Sequence, residues 1–251
     1  MRKDSVLAAY EAFAPIYNDF NHLNDYEMWL GRALLPALEE QGLKHGRVLD
    51  VGCGTGRAFN PLLNRGWQIQ GCDLSPAMLQ IARREGGEEV DLAVADMREL
   101  PAFGEFELVI GLNDLVNFLL EENDLELALT GIHANLADHG LLVFDCNSIS
   151  YFETSYTTIR EVEYSGRHWT WRGFGEIAPG LHETRIEGDD IEPIIHRERF
   201  HSQPAVREAL AATGLECRAV LGMEEVGGEV ILTEPPDEDR HYKVIYIAAR
   251  A

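Results

Sequence analysis

Basic residues are scarce in this 251-residue chain: 21 Lys and Arg stand against 43 Asp and Glu, a formal net charge of −22. A field of that sign repels phosphate backbones and anionic lipid, so nucleic acid and membranes are not expected as partners and a small, neutral or cationic one is favoured; the charge also suits simple solubility. Cysteine is sparse as well. Cys53, Cys72, Cys146 and Cys217 are scattered without a CxxC pair, so they read as small buried hydrophobes in a reducing, cytoplasmic setting, not as disulfides or a zinc site. No apolar run approaches the roughly 18 residues of a membrane span, and Met1-Arg-Lys-Asp-Ser leads into an amphipathic helix pattern, not a signal sequence. The nine histidines are dispersed, and His196 and His201 have the wrong spacing for one helix face, so no metal site is expected. Repeats and low-complexity tracts are missing too. A chain of this length can bury roughly 70–75% of its unfolded surface, so core material is not limiting.

What is present is concentrated in Arg47-Val-Leu-Asp50-Val-Gly52-Cys53-Gly54-Thr55-Gly56, an apolar strand running into glycines. Glycine lets backbone approach a ligand closely, and a carboxylate on the neighbouring strand can grip the two hydroxyls of a ribose. That carboxylate is Asp73, at the end of Trp67-Gln-Ile-Gln-Gly-Cys-Asp73, with Ser75-Pro76 placing an N-cap and first-turn proline just beyond. A dinucleotide fingerprint needs G-x-G-x-x-G, but Arg57 stands where its third glycine would be. Asp50 would also repel a pyrophosphate while tolerating an ammonium group. Two more strands end in polar residues: Val90-Asp-Leu-Ala-Val-Ala-Asp96-Met97 and Phe106-Glu-Leu-Val-Ile-Gly-Leu112-Asn113.

These motifs resemble those of the class I S-adenosylmethionine (SAM)-dependent methyltransferases, over residues 10 to 147. The resemblance implies SAM as cofactor and a cofactor site of Asp50, Gly52, Cys53, Gly54, Thr55, Gly56, Asp73, Leu74, Asp96, Met97 and Leu112, with Asp96 accepting from the adenine amino group. Ahead of the first strand, Phe13-Ala-Pro-Ile-Tyr17-Asn-Asp19-Phe20 followed by Tyr26-Glu-Met-Trp29 is similar to the small-molecule N-methyltransferases, of the glycine and amino-sugar N,N-dimethyl types. That likeness puts Tyr17 and Trp29 beside the sulfonium, where an aromatic face stabilises a cation by roughly 0.5–2 kcal/mol. Trp29 also reads as a plain core aromatic. Where the glycine enzymes have an arginine two positions after the strand-five aspartate, this chain has Asn147 after Asp145, which argues against glycine as acceptor.

Strand and helix patterns alternate from 47 to 146, and the periodicity turns strand-like between Tyr151 and Phe200, with turn signals at Ser165-Gly166, Pro179-Gly180 and Gly188-Asp189. The expectation is an α/β fold: a doubly wound, mostly parallel, seven-stranded Rossmann-like sheet with an antiparallel β insertion after strand five. Its parts are a helical cap over 1–45, a cofactor-binding core over 46–150, the insertion over 151–201, and a helix with a final strand pair over 202–251.

Methyl transfer needs no enzyme nucleophile, only an acceptor held in line and shielded from water. Tyr17 and Asn113 are the expected positioning residues, with Asn117, Asn147 and Tyr151 lining the acceptor side; the asparagines also suit turns and caps. Trp169 and Trp171 share one strand face and could wall the acceptor pocket or pack the insertion onto the core. Arg160, Arg167, Arg172, Arg197 and Arg199 could form a basic patch there. The leading expectation is transfer to an amine nitrogen of a small molecule. Alternatives are O-methylation, which would need a base, a NAD-dependent oxidoreductase, and a non-catalytic SAM-binding subunit. Neither the acceptor nor the oligomeric state is specified by any spacing.

Overall fold

The computed structural model describes residues 3–86 and 89–251; Met1 and Arg2, where the N-terminal reading starts, lie outside them. The alternating segment becomes strands β1 (Arg47–Val51), β2 (Gln68–Asp73), β3 (Asp91–Val94), β4 (Phe106–Gly111) and β5 (Leu136–Asn147). Their spatial order is β3-β2-β1-β4-β5, all parallel. The order reverses at β1, so the carboxyl ends of β1 and β4 splay apart and leave a crevice where ligands bind in open α/β sheets.

The sheet has eight strands, not the expected seven. Beyond β5 lie β12 (Lys243–Arg250), β10 (Leu215–Val226) and β11 (Glu229–Thr233), all antiparallel. The extra strand is the second arm of a β10–β11 hairpin. Gly227 and Gly228 turn that hairpin with φ of +63° and +84°, values that glycine adopts without steric cost.

Both faces of the sheet are covered. Successive residues of a strand point to opposite faces, so Val109 joins Leu125, Leu129 and Ile132 of α6 (Asp124–Asn135) and Val206 and Leu210 of α8 (Gln203–Ala212). Leu108 and Ile110 instead join Leu30, Leu34, Phe59 and Leu62, from the π-helical segment Glu27–Leu34 and helix α4 (Phe59–Leu63). Double-sided burial is why β4 reads as one continuous apolar run.

The insertion opens with a helix, α7 (Ile149–Ser155), capped by Ser148, whose Oγ accepts from the Tyr151 N–H at 3.1 Å. It continues as a four-stranded antiparallel sheet in the order β6 (Ile159–Tyr164), β7 (Arg167–Ala178), β8 (Leu181–Gly188), β9 (Ile191–Arg199). One face of this sheet packs on the N-terminal segment. Trp169, Trp171, Ile186 and Ile194 meet Phe13, Ile16 and Phe20, from α1 (Lys3–Phe13) and the turns after it, including α2 (Tyr17–Phe20). Among the described residues no helix is long and apolar enough to cross a membrane.

Candidate active site

The cleft at the switch point begins with the glycine turn. Gly52 and Gly54 have φ of +68° and +54°, the left-handed region that favours glycine. A Cβ on Gly52 would run into Leu115, whereas one on Gly54 would meet no atom within 4 Å. The backbone is bare on its cleft side at Gly54. Asp73 fixes the turn from the next strand: its carboxylate accepts from the Gly54 N–H and the Ser75 N–H, each at 2.8 Å. Burial lifts Asp73 above the usual carboxylate range, against the pull of those two N–H groups.

The cleft encloses about 880 Å³, counting its open mouth. Of the expected cofactor residues, Gly52, Cys53, Gly54, Thr55, Asp73 and Leu74 line it, as do Asp96, Met97 and Leu112. Asp96 is already engaged, taking Nε and Nη2 of Arg98 at 3.0 and 2.8 Å. Asp50 and Gly56 lie outside the lining. Asp50 is buried beneath the turn, and burial together with Asp73 pushes its carboxyl well above the ordinary range.

The N-terminal segment is tied across this cleft. Arg57 donates to the Asn21 carbonyl at 2.8 Å and to the Asn24 carbonyl, and lies over the Tyr26 ring. Thr55 Oγ1 donates to Asn18 Oδ1 at 2.7 Å, and Glu11 accepts from Ser75 Oγ and the Ala77 N–H at the start of α5 (Pro76–Gly86). Arg57, the residue that breaks the dinucleotide pattern, is thus the clasp of the cap. Tyr10, Tyr17 and Tyr26 enter the cleft from this segment. Trp29 does not; it packs at 5.1 Å from Tyr26 and borders a second cavity instead.

That second cavity, about 1810 Å³, shares Tyr10, Tyr17, Asn113 and Phe118 with the first. The two spaces meet at those four side chains. Asn113 and Asp114 sit at φ of +61° and +59°, strained for most residues but tolerated by Asn and Asp. Their N–H groups both donate to Asp145, at 2.6 and 2.8 Å, which turns the chain sharply after β4. Lys243 then bridges Asp114 and Asp145 at 2.6 Å each. Burial works against its charge, but the two carboxylates prevail and hold the ammonium well above its usual pKa. Asn24 Nδ2 donates to Asn113 Oδ1 at 3.3 Å. Burial pushes the Tyr17 phenol up to about 12, so it remains a neutral donor.

Tyr151 and Trp171 line the second cavity. Asn117, Asn147 and Trp169 do not. Asn117 is fully buried, with its amide committed to the Arg199 carbonyl and the Asn147 N–H. Asn147 donates to Glu198 Oε2 at 2.9 Å, and Trp169 donates to Asp190 and packs on Phe20. The five arginines expected to form a basic patch do not gather into one, because each has its own partner. Arg167 pairs with Asp19 and Asp190, Arg172 with Glu187, and Arg197 with Glu183; Arg199 donates to the Leu120 carbonyl, and Arg160 lies over Trp171.

Several residues of the site escaped the sequence reading, namely Tyr10, Tyr26, Arg57, Phe118, His196 and Glu198. The last two carried a readable signal. On β9 the buried positions alternate through Ile194, His196 and Glu198, so two polar residues occupy the phase that a half-buried strand gives to its core.

Comparison with known proteins agrees with this geometry. Residues 48–140 match the family described as a methyltransferase domain. A dTDP-3-amino-3,6-dideoxy-alpha-D-glucopyranose N,N-dimethyltransferase of Streptomyces fradiae is 31% identical over 195 residues, which cover 71% of this chain and 73% of the relative. A putative methyltransferase of a Geobacillus species is 35% identical over 144 residues. The chain spans 58% of that relative's length and 56% of a similar Bacillus subtilis protein. In fold, it is similar to a SAM-dependent methyltransferase structure from Clostridium acetobutylicum, with a TM-score of 0.76 at 21% identity, covering 96% of this chain and 99% of that one. The chain belongs to the class I SAM-dependent methyltransferases.

Proposed function

We propose that this protein binds SAM in the β1–β4 cleft and transfers its methyl group to an amine nitrogen of a small molecule held in the second cavity. The bare Gly54 backbone, the Asp73 carboxylate and the tyrosine-rich cap fit an adenosine with a cationic tail. When bound, SAM would supply a methyl carbon on a sulfonium, open to in-line displacement by an acceptor lone pair. Tyr17 and Asn113, at the junction of the two spaces, orient the acceptor, and the clasped cap excludes water.

The choice of an amine rests on one observation. Among the described residues, the second cavity is bordered by six carboxylates (Asp25, Asp114, Glu161, Glu163, Glu198, Glu225) and two cations, Arg160 and Lys243. Lys243 is already neutralised by Asp114 and Asp145. Such a wall attracts a cationic acceptor and repels a phosphate or carboxylate. The amine-methylating relative from Streptomyces fradiae points the same way. An acceptor screen with methyl-labelled SAM tests the reading: amines should take up label, and label passing only to hydroxyl acceptors would overturn it. A thermal-shift comparison tests the cofactor, with S-adenosylhomocysteine stabilising the protein and NAD not.

A further inference from the structure

Resting on that amine reading, we propose that Glu198 is the group that takes the acceptor's proton, and that the acceptor carries its amine on an apolar, ring-sized body. Glu198 lies on β9, is only 3% exposed, and borders the second cavity. Asn147 Nδ2 donates to its Oε2 at 2.9 Å, and it is hydrogen-bonded to Tyr156. These two partners anchor the carboxyl group in place without neutralising it. His196 shares its face of β9 with Glu198, and with Tyr10, Phe118 and Trp171 it builds an aromatic wall, with ring centroids 5.3 to 6.5 Å apart. His196 Nε2 and Trp171 Nε1 are buried with no hydrogen-bond partner among the described residues, a cost that a ligand with an acceptor atom can relieve.

The charges facing Glu198 come from every side. Asp114 follows β4, Lys243 lies on β12, Tyr10 on α1, Tyr151 on α7, Tyr156 just after it, His182 on β8 and His196 on β9 itself. Lys243 is committed to Asp114 and Asp145. Burial pushes Glu198 up to about 8, with Asp114 adding to the effect, close to where amines titrate and so suited to a proton acceptor. Burial drives His196 the other way, to about 4, so its ring serves as neutral wall. As an ammonium enters this space the protonated Glu198 carboxyl releases its proton to water, and the carboxylate so formed takes one N–H proton. The nitrogen gains its lone pair, the carboxyl becomes neutral again, and that proton later leaves to water.

The test uses the whole protein saturated with S-adenosylhomocysteine, titrated with arylalkyl amines such as 2-phenylethylamine and with the matching alcohols. Calorimetry in two buffers of different ionisation enthalpy reads the protons released. At pH 7 the wild type should bind the amines at least tenfold more tightly than the alcohols and release close to one proton, because an ammonium and a protonated carboxyl come to share one. Glu198→Gln should lose that preference and the proton release while binding the alcohols as before, and Glu198→Asp should recover part of both. Amines that bind no better than alcohols in the wild type, or an amine preference and proton release unchanged in E198Q, overturn the proposal. The two readings separate in these outcomes: amines that bind no better than alcohols in the wild type defeat the amine reading as well, whereas an amine preference that survives unchanged in E198Q overturns only the role of Glu198.

Discussion

Replacing Asp73 with asparagine changes one oxygen of the cleft into an NH₂ group, and the structure says what that costs. Both carboxylate oxygens accept backbone N–H groups at 2.8 Å, one from Gly54 and one from Ser75. An amide can satisfy only one of them and aims a donor at the other. The lost backbone bond is missing in the free protein as well, so what counts against the ligand is the charged acceptor taken from the ribose hydroxyls, worth roughly 1.5–3 kcal/mol. S-adenosylhomocysteine affinity should therefore fall roughly 10- to 10²-fold by calorimetry. The melting temperature of the unliganded protein should move far less, because burial already works against the Asp73 charge and asparagine relieves that cost. The same elevation sets the pH dependence. Protons compete with the ligand for a carboxylate whose pKa is raised, so wild-type affinity should decline on acidification earlier than for an ordinary aspartate, and the variant should lack this decline. A D73N protein that binds within threefold of wild type would refute the assignment of Asp73 to the cofactor.

Arg57→Met should release the cap, since it removes two donors to the Asn21 and Asn24 carbonyls; faster amide exchange over residues 17–26 and at least tenfold weaker S-adenosylhomocysteine binding are expected, and unchanged exchange there would remove Arg57 as the clasp. Lys243→Met leaves Asp114 and Asp145 buried without their cation, which should cost about 3–5 kcal/mol in denaturant unfolding; a loss below about 1 kcal/mol would show that the bridge is not structural. Glu198 supplies a pH test of stability in the unliganded protein. Its folded pKa lies above the unfolded value, so its contribution is full below the ordinary carboxylate range and is lost as pH rises through about 8. The melting temperature of wild type should accordingly fall relative to E198Q between about pH 5 and pH 9, and a constant difference would deny the elevated pKa.

The parallel half of the fold was legible because its strands are buried on both faces and bounded by turn residues, so runs such as Leu108-Val109-Ile110 announce themselves. Boundaries were less so. The apolar run Gly140-Leu-Leu-Val-Phe-Asp145 marks strand five in the sequence, yet β5 begins at Leu136, where α6 passes into it without a loop. The eighth strand was hidden by Glu224 and Glu225, which break the apolar run of β10 just before the Gly227-Gly228 turn. Helix α7 runs into the start of the segment read as strand, overlapping it over 151–155, although Ser148 was available as its cap. Among the residues lining the cleft, the glycine turn and Asp73 were readable because that wall is made of backbone and strand ends. Asn117 and Asn147 were misplaced for the opposite reason: an asparagine after a strand serves a turn or a ligand equally well, and only tertiary contacts decide.

The acceptor side follows a different logic from the cofactor side. The cofactor cleft is made by topology, through a reversal of strand order that any sheet of this kind contains. The second cavity has no such origin, since its walls come from the antiparallel sheet (β6, β7 and β9), the N-terminal segment, the loop after β4 and the main-sheet strands β10, β11 and β12. Tyr10, Tyr17, Asn113 and Phe118 belong to both spaces, so whatever orders the cap for one ligand orders the wall facing the other. Ordering the cap lowers the conformational entropy that the acceptor would otherwise have to remove, which predicts positive coupling with no rearrangement of the sheet. S-adenosylhomocysteine should therefore tighten arylalkyl amine binding severalfold, and by linkage the amine should tighten S-adenosylhomocysteine binding by the same factor. In Arg57→Met, with the cap no longer clasped, the factor should fall toward one, while the preference for amines over alcohols persists and is lost only when Glu198→Gln is added to the same background. Coupling that survives intact without the clasp would mean that the two cavities communicate through the β4 turn and Asp145 instead of through the N-terminal segment.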